Sequence, residues 1–469
     1  MLREDNTQWQ AVIDKVYQNG QGHIFKFWDQ LTPQEKQTFI DQLARIDWAQ
    51  MNRLIRKALN PEKKLELDIR PVDVITLKER IARDANVLPL GEQALRQGKV
   101  GVCLVAGGQG SRLGFDGPKG CFPITPVKNK SLFQLHAEKI KAMSLKYKVV
   151  LPWYIMTSRS NNQATIDFFE AHDYFDLGKE NVFFFIQEMI PAIDHKGKFI
   201  LEAKNRIFES PNGHGGVIKA LWQSGAIADM KQRGIEYLFY FQVDNVLIKM
   251  CDPVFIGYHI DERSEMSNKV VRKVQPEDRV GVICKIGDKI GVVEYSDLDD
   301  EHMYARDENG DLKFWAGSIA IHVINVAFIE RENKHGFKLP FHIAQKSIPY
   351  LDDQGNLVKP AEKNGYKFET FIFDALLDAQ KTCSIEVKRS EEFSAVKNKE
   401  GFESPQTAKE DLMRNYAAWL KRAGIDVPMK DETLPLYPIE ISPLFALDAD
   451  DVKRKKDQIP PIEGPVYLG

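Results

Sequence analysis

A run of glycines shares one short segment with an arginine and a lysine: Val105-Ala106-Gly107-Gly108-Gln109-Gly110-Ser111-Arg112-Leu113-Gly114, then Pro118-Lys119-Gly120. Glycine has no Cβ, so a loop built from it brings backbone N–H groups close to a polyphosphate. Arg112 and Lys119 add the positive charge such a ligand needs. Spacing excludes two commoner phosphate loops. Gly108, Gly110 and Gly114 leave three residues, not two, before the last glycine, so the pattern is not G-x-G-x-x-G. No Gly-Lys-Ser/Thr follows at P-loop distance either. The remaining readings are a phosphate site of another kind or a tight connection without a ligand.

Two more polar positions follow apolar runs. Gln187 comes after Val182-Phe183-Phe184-Phe185-Ile186, and Asp244-Asn245 after Tyr240-Phe241-Gln242-Val243. In open α/β sheets ligands lie beyond the carboxyl ends of the strands. A carboxylate there suits Mg²⁺ (or Mn²⁺), whose shell phosphates complete; the alternative is that Asp244 caps a turn. In Asn212-Gly213-His214-Gly215-Gly216 the glycines allow close backbone approach at a helix start, with His214 either a ligand contact or a structural histidine. Spacing does not single out Lys397, in Ser394-Ala395-Val396-Lys397-Asn398, from ordinary surface lysines, and Lys453-Arg454-Lys455-Lys456 reads as a solvated face.

These residues need a scaffold. The chain has 469 residues, 43% hydrophobic and 28% charged, which is ordinary for a globular protein. The net charge of -3 gives no global basic field for nucleic acid, so any phosphate site is local. The start, Met1-Leu2-Arg3-Glu4-Asp5-Asn6, lacks the apolar centre of a signal peptide, and no apolar run is long enough to cross a bilayer. The five cysteines form no C-x-x-C pair, so a reduced, cytoplasmic protein is expected.

Residues 1–97 read as a helical N-terminal domain. Thr32 is a candidate N-cap, with Pro33 at the first helical position and Glu35 behind it. Strands at 100–105, 149–156, 182–186 and 237–243 alternate with helices at 131–147, 161–172 and 217–233. This predicts an α/β fold, a mixed and mostly parallel sheet with a Rossmann-like nucleotidyltransferase core over 98–395. The runs 280–286 and 290–295, joined by Gly287-Asp288-Lys289, predict a hairpin. Residues 396–469, with a helix at 407–423, are expected to form a smaller α+β C-terminal domain.

Taken together, the motifs resemble those of the eukaryotic-type UDP-N-acetylhexosamine pyrophosphorylases, UTP-dependent sugar-1-phosphate uridylyltransferases. The family's L-A-G-G-Q-G-T-R-L-G is matched with Ser111 for Thr, followed by the same P-K-G. Pro152 to Ser158 resembles the family's next strand. Asp244-Asn245 matches V-D-N, Val292-Val293-Glu294-Tyr295-Ser296 matches V-V-E-Y-S, Phe371-Ile372-Phe373-Asp374 matches F-V-F-D, and Ile441-Ser442-Pro443-Leu444 matches I-S-P-L. The resemblance implies that Gly107, Gly108, Gly110, Arg112 and Lys119 hold the triphosphate, and that Lys397 reaches the phosphates. It implies that Gln187 and Gly215 contact the uracil and that Asp244 places Mg²⁺ or Mn²⁺. Glu294 is then expected at the sugar hydroxyls, with Phe371 and Phe373 walling the sugar substituent. Three departures bear on the sugar. The family's N-A-G-N-I-A-N-H is Trp315-Ala316-Gly317-Ser318-Ile319-Ala320-Ile321-His322, which puts Trp315 and Ser318 beside the sugar. Its G-N-G-G is Gly213-His214-Gly215-Gly216, nearer to UDP-glucose and broad-range UDP-sugar pyrophosphorylases. S-P-L-K-N is Ser394-Ala395-Val396-Lys397-Asn398, which keeps the lysine.

The implied reaction joins UTP and an N-acetylhexosamine-1-phosphate by direct in-line displacement, giving the UDP-sugar and pyrophosphate. Glucose-1-phosphate or a broader sugar range is the alternative within the class. A non-catalytic nucleotide-sugar-binding regulator is the alternative outside it. Neither nucleic acid nor membrane is an expected partner.

Overall fold

The computed structural model describes residues 2–61 and 68–469. The chain divides into two compact units. One comprises Met1–Glu66, Glu188–Gly216 and Leu339–Ile372; the other comprises Leu67–Gln187, Val217–Lys338 and Phe373–Gly469.

The second unit is built on a ten-stranded sheet. Its strands are β1 (Ile69–Pro71), β2 (Val100–Val105), β3 (Trp153–Thr157), β4 (Val182–Ile186), β5 (Tyr237–Gln242), β6 (Met266–Arg272), β7 (Val282–Ile286), β8 (Lys289–Val293), β9 (Ala316–Asn325) and β10 (Thr382–Glu386). The order is β1-β7-β9-β5-β2-β3-β4, with β6 beside β9 and β10, and β8 beside β7. From β5 through β2 and β3 to β4 all pairing is parallel. Strands of a parallel sheet are covered on both faces, so they read as unbroken apolar runs. Val100, Val102, Cys103 and Leu104 in β2, and Trp153 to Met156 in β3, have no exposed surface. β9 runs antiparallel to β5 and to β7, and the hairpin β7–β8 forms as its glycine turn predicts. The sheet is therefore mixed, with a parallel half that carries the glycine loop.

Helices follow their end signals. Ser131 caps Leu132–Tyr147 by accepting from the Gln134 N–H at 3.0 Å. Thr32 and Glu35 form a reciprocal capping box on Pro33–Ala44. The helix expected over 217–233 is instead two, Gly216–Gln223 and Ala226–Gln232, because Gly225 between them has φ +82°, which ends a right-handed helix.

The domain expectation and the compact units differ. The N-terminal helices bury Ile13, Val16, Trp28, Phe39 and Leu43 against Ile193, Phe199, Ile207 and Phe368, so they share a core with two later excursions of the chain. The helix Leu77–Arg96 belongs with the sheet, through Val87, Ala94 and Leu95. The C-terminal segment is no separate body either: Ala408, Leu412, Tyr416 and Leu420 lie in the sheet's own core. Apolar faces seek partners by shape, not by position along the chain. All five cysteines are free, four buried and Cys121 half-buried. Among the described residues, no helix is long and apolar enough to cross a membrane.

Candidate active site

Parallel pairing fixes where the chemistry gathers. β2, β3, β4 and β5 all point the same way, so the glycine loop after β2, Ser158 after β3, Gln187 after β4 and Asp244 after β5 leave the sheet at one edge.

The loop folds back on itself. The Gly110 N–H donates to the Gly117 carbonyl at 2.9 Å and the Lys119 N–H to the Gly108 carbonyl at 3.1 Å. A short turn, Ser111–Leu113, holds Arg112, whose side chain is exposed and has no ion-pair partner among the described residues. A Cβ on Gly107 would lie 2.2 Å from Gln187 Nε2, so glycine is what lets the Gln187 amide sit there. A Cβ on Gly108 would meet nothing within 4 Å: the space in front of it is open.

The charges are arranged around Asp244. Lys119 Nζ lies 3.2 Å from Asp244 Oδ2. The 392–396 segment is tied alongside: the Val396 N–H donates to the Asp244 carbonyl at 3.0 Å, and Asn245 Nδ2 donates to the Glu392 carbonyl at 2.8 Å. Asn245 is therefore a brace, and it delivers Lys397. Burial alone would raise the Asp244 carboxyl, but Lys119 and Lys397 outweigh it and hold the group below its ordinary range. Lys397 is itself steadied by Glu403 at 3.1 Å.

Asp244 and Lys397 open into a cavity of about 170 Å³ that Glu294, Ser318 and Phe373 also line. Its β9 wall is irregular. Val270 pairs with Ser318 and Asn268 with His322, so three residues of β9 stand opposite Lys269 alone. Ala320, within this bulge, has φ +53°, a left-handed conformation that costs an alanine about 1–2 kcal/mol. The bulge turns Ser318, Ile319 and Ala320 onto the cavity.

Four sequence-assigned residues are not among those that line this cavity. Trp315 does not line this cavity; the Arg272 guanidinium covers its ring at 4.1 Å. It stands three positions from Ser318, on the other side of the strand alternation, and finds its partner there. His214, Gly215 and Phe371 belong to the first unit. The Gly215 N–H donates to the Thr370 carbonyl at 2.9 Å, so it is not a free donor at the helix start. A Cβ on Gly215 would be 2.7 Å from the Phe371 backbone, and this packing is what the glycine permits. The His214 ring stacks on Phe371 at 5.2 Å, and Nδ1 accepts from the Ile372 N–H at 3.1 Å. The neutral ring thus carries its proton on Nε2.

Sequence reasoning missed four residues. Asn161 Nδ2 donates to the Ala106 and Gly108 carbonyls at 2.9 and 3.2 Å, and its Oδ1 accepts from the Ser158 N–H at 2.8 Å. His136 Nε2 donates to the Val243 carbonyl at 3.0 Å, and Lys139 Nζ to those of Val246 and Ile248 at 2.7 and 2.9 Å. One helix face therefore grips the chain on both sides of Asp244. Burial lowers His136 to about 3 and Lys139 to about 7. Polar residues three apart on a face that otherwise reads Leu132, Leu135 and Ile140 were the available signal. Arg279, exposed on the cavity wall, offers none: it stands in a polar stretch like any surface arginine.

Residues 37–412 match the family described as UTP–glucose-1-phosphate uridylyltransferase. The chain belongs to this family. Within it, the chain is 36% identical to the UDP-N-acetylhexosamine pyrophosphorylase-like protein 1 of Xenopus tropicalis, over 92% of this chain and 91% of that one. It is 35% identical to the UDP-N-acetylglucosamine pyrophosphorylase of Saccharomyces cerevisiae, over 94% and 96% of the two chains. The crystal structure of the uridine diphosphate N-acetylglucosamine pyrophosphorylase from Trypanosoma brucei aligns with a TM-score of 0.85 at 26% identity, covering 100% of this chain and 99% of that one.

The donor set at the strand edge bears on a metal. Among the described residues, no three His, Cys, Asp or Glu side chains cluster as a cage. Asp244 is one ionised carboxylate beside a phosphate-type loop. That fits a divalent ion brought in with phosphates, which asks one or two carboxylates of the protein, and it does not fit a resident all-protein site.

Proposed function

We propose that this protein is a UTP-dependent uridylyltransferase that converts UTP and an N-acetylhexosamine-1-phosphate to the UDP-sugar and pyrophosphate. One observation carries the site assignment: Lys119, Asp244 and Lys397, drawn from three distant stretches of chain, meet at the strand edge in a family member.

The sugar-1-phosphate oxygen attacks the α-phosphorus of UTP and pyrophosphate leaves. The attacking dianion is already charged near neutral pH, so neither a protein nucleophile nor a general base is required. The thiols suit this reading: burial pushes even the half-buried Cys121 up to about 12. Catalysis then rests on alignment and on neutralising charge as it moves to the leaving group. The Gly107 and Gly108 amides and Arg112 receive the leaving phosphates; the Gly110 N–H, bonded to the Gly117 carbonyl, shapes the loop instead. Lys119 and Lys397 steady the α-phosphate and the incoming phosphate. Asp244 would hold Mg²⁺ (or Mn²⁺), which supplies neutralisation of the leaving pyrophosphate when bound. Gln187 reads the uracil edge, and a wrong base leaves its buried amide unpaired. Glu294, Ser318 and Phe373 face the sugar.

Ser318 and the absent asparagines keep glucose-1-phosphate as the second reading. The test is pyrophosphate release with UTP and a panel of N-acetylglucosamine-, N-acetylgalactosamine-, glucose- and galactose-1-phosphate. We expect the highest kcat/KM with an N-acetylhexosamine-1-phosphate, and little turnover when ATP or GTP replaces UTP. A higher kcat/KM with glucose-1-phosphate would overturn the sugar assignment. No release with any of them would return the protein to the class of non-catalytic binders.

A further inference from the structure

The second unit has a cavity besides the one at the strand edge. This cleft of about 710 Å³ is within the range of about 300–1,000 Å³ typical of small-molecule sites. One wall is the helix Leu132–Tyr147, which presents Lys139, Met143 and Lys146 at i, i+4 and i+7, hence on one face. The helix Pro405–Arg422 supplies Leu412, Tyr416 and Trp419. The segments 246–250, 390–392 and 446–450 also line it.

Most acids in this lining are engaged by other groups. Asp252 and Glu392 hold the fully buried Lys269, the first at 2.7 Å. Glu92 pairs with Arg96 at 2.9 Å and Glu391 with Lys388 at 3.0 Å. Asp448 caps the helix Ala449–Arg454, leaving Lys146 only a distant contact at 3.9 Å. Glu432 and Asp450 stand exposed to solvent. Lys139 has no carboxylate partner among the described residues; it donates to two carbonyls, and an ammonium carries a third donor. Glu392 attracts the Lys139 ammonium but does not outweigh its burial, and an anion arriving from outside would favour the charged form further.

The same lining continues into the catalytic edge. Val246 is two residues beyond Asp244, and Glu392 is five before Lys397. The two segments are laced together by Val246 N–H to the Ser394 carbonyl at 3.0 Å and Ser394 N–H to Asn245 Oδ1 at 3.0 Å. We infer that the cleft is a second ligand site, for a small organic anion with an apolar body, and that its occupant acts on Asp244 and Lys397 through these two segments. An anion that draws Lys139 Nζ competes with the Val246 and Ile248 carbonyls, so the empty and filled clefts grip the Asp244 segment differently. That difference is what coupling between two sites requires. The coupling, though not the binding, rests on the uridylyltransferase reading.

The probes are decanoate and decyl phosphate, each below its micelle concentration, titrated by calorimetry into the full chain, Lys139→Met and Ala418→Trp. Ala418 lines the cleft from an exposed position, so a tryptophan there obstructs the cleft without entering the core. We expect saturable one-to-one binding, at least about tenfold weaker in both variants, and the tighter probe tells whether the head is carboxylate or phosphate. In wild type the bound probe shifts the KM for UTP by about fivefold or more, and Ala418→Trp abolishes the shift while keeping basal turnover. Absence of saturable binding, or equal binding by all three proteins, overturns the site. Binding that leaves UTP kinetics untouched overturns the coupling. A wild type that binds the probe yet turns over no UTP overturns the proposed function and leaves the site standing.

Discussion

Gly108→Ala separates folding from catalysis in a single methyl group. Gly108 has an ordinary φ, and a Cβ there meets no atom within 4 Å. Alanine therefore fits the folded chain. By narrowing the unfolded ensemble it stabilises by about 0.4–1 kcal/mol. The methyl group occupies the open space in front of the loop, which the proposed function assigns to the triphosphate. Keeping one phosphate off one backbone donor costs about 2.7–4 kcal/mol of barrier, or roughly a hundred- to thousandfold in rate. Stability and activity should thus move in opposite directions. The assays are a thermal melt and steady-state pyrophosphate release with UTP and an N-acetylhexosamine-1-phosphate. Near wild-type kcat/KM with an unchanged melt would show that phosphate does not meet this loop. Gly107→Ala is the contrasting neighbour. Its Cβ would land 2.2 Å from Gln187 Nε2, so it must displace the amide assigned to uracil. We expect a raised KM for UTP and weaker discrimination against ATP.

Lys119→Met removes the stronger of the two lysine interactions that hold Asp244 below its ordinary range against burial. Asp244 then titrates higher, and the acid limb of the kcat/KM profile moves to higher pH; an unmoved limb would show that Asp244 does not set it. Asn161→Ala strips partners from the Ala106 and Gly108 carbonyls and the Ser158 N–H. A loss of about 1–3 kcal/mol in stability and a raised KM for UTP should appear together in denaturant and kinetic titrations. His136 is held neutral down to about 3 when folded, whereas the unfolded ring titrates near its ordinary value of 6.5. The unfolded state therefore binds more protons between those values, and stability falls as pH drops through that window. His136→Gln should flatten this dependence in melts taken from pH 7 to pH 4. Arg279→Ala should raise the KM for the sugar phosphate and leave that for UTP little changed, as initial-rate kinetics will show.

Much of the parallel core was legible because covered strands announce themselves as apolar runs, and the glycine loop, Gln187 and Asp244 stand where such runs stop. Lys397 was legible only through its motif, since nothing near it in sequence says that the Asn245 brace brings it to Asp244. Trp315 was placed beside the sugar by its motif, whereas the structure puts its ring under the Arg272 guanidinium and outside the cavity that Ser318 lines. The glycines at 213–216 suggested free N–H groups, but close packing on residues 370–371 accounts for them. His136, Lys139 and Asn161 were hidden for one reason: each acts on backbone carbonyls, which every residue has and no sequence pattern advertises.

The bulge opposite Lys269 leaves Ile319, Ala320 and Ile321 outside the hydrogen-bonded pairing on both flanks of β9. Ile319 and Ile321 are nonetheless buried in the sheet's core, so apolar packing holds this stretch where strand pairing does not, and cutting either back to alanine costs about 2–5 kcal/mol. Ser318 and Ala320 are only half-buried. The bulge thus presents two half-buried residues to the cavity while its isoleucines anchor it from behind.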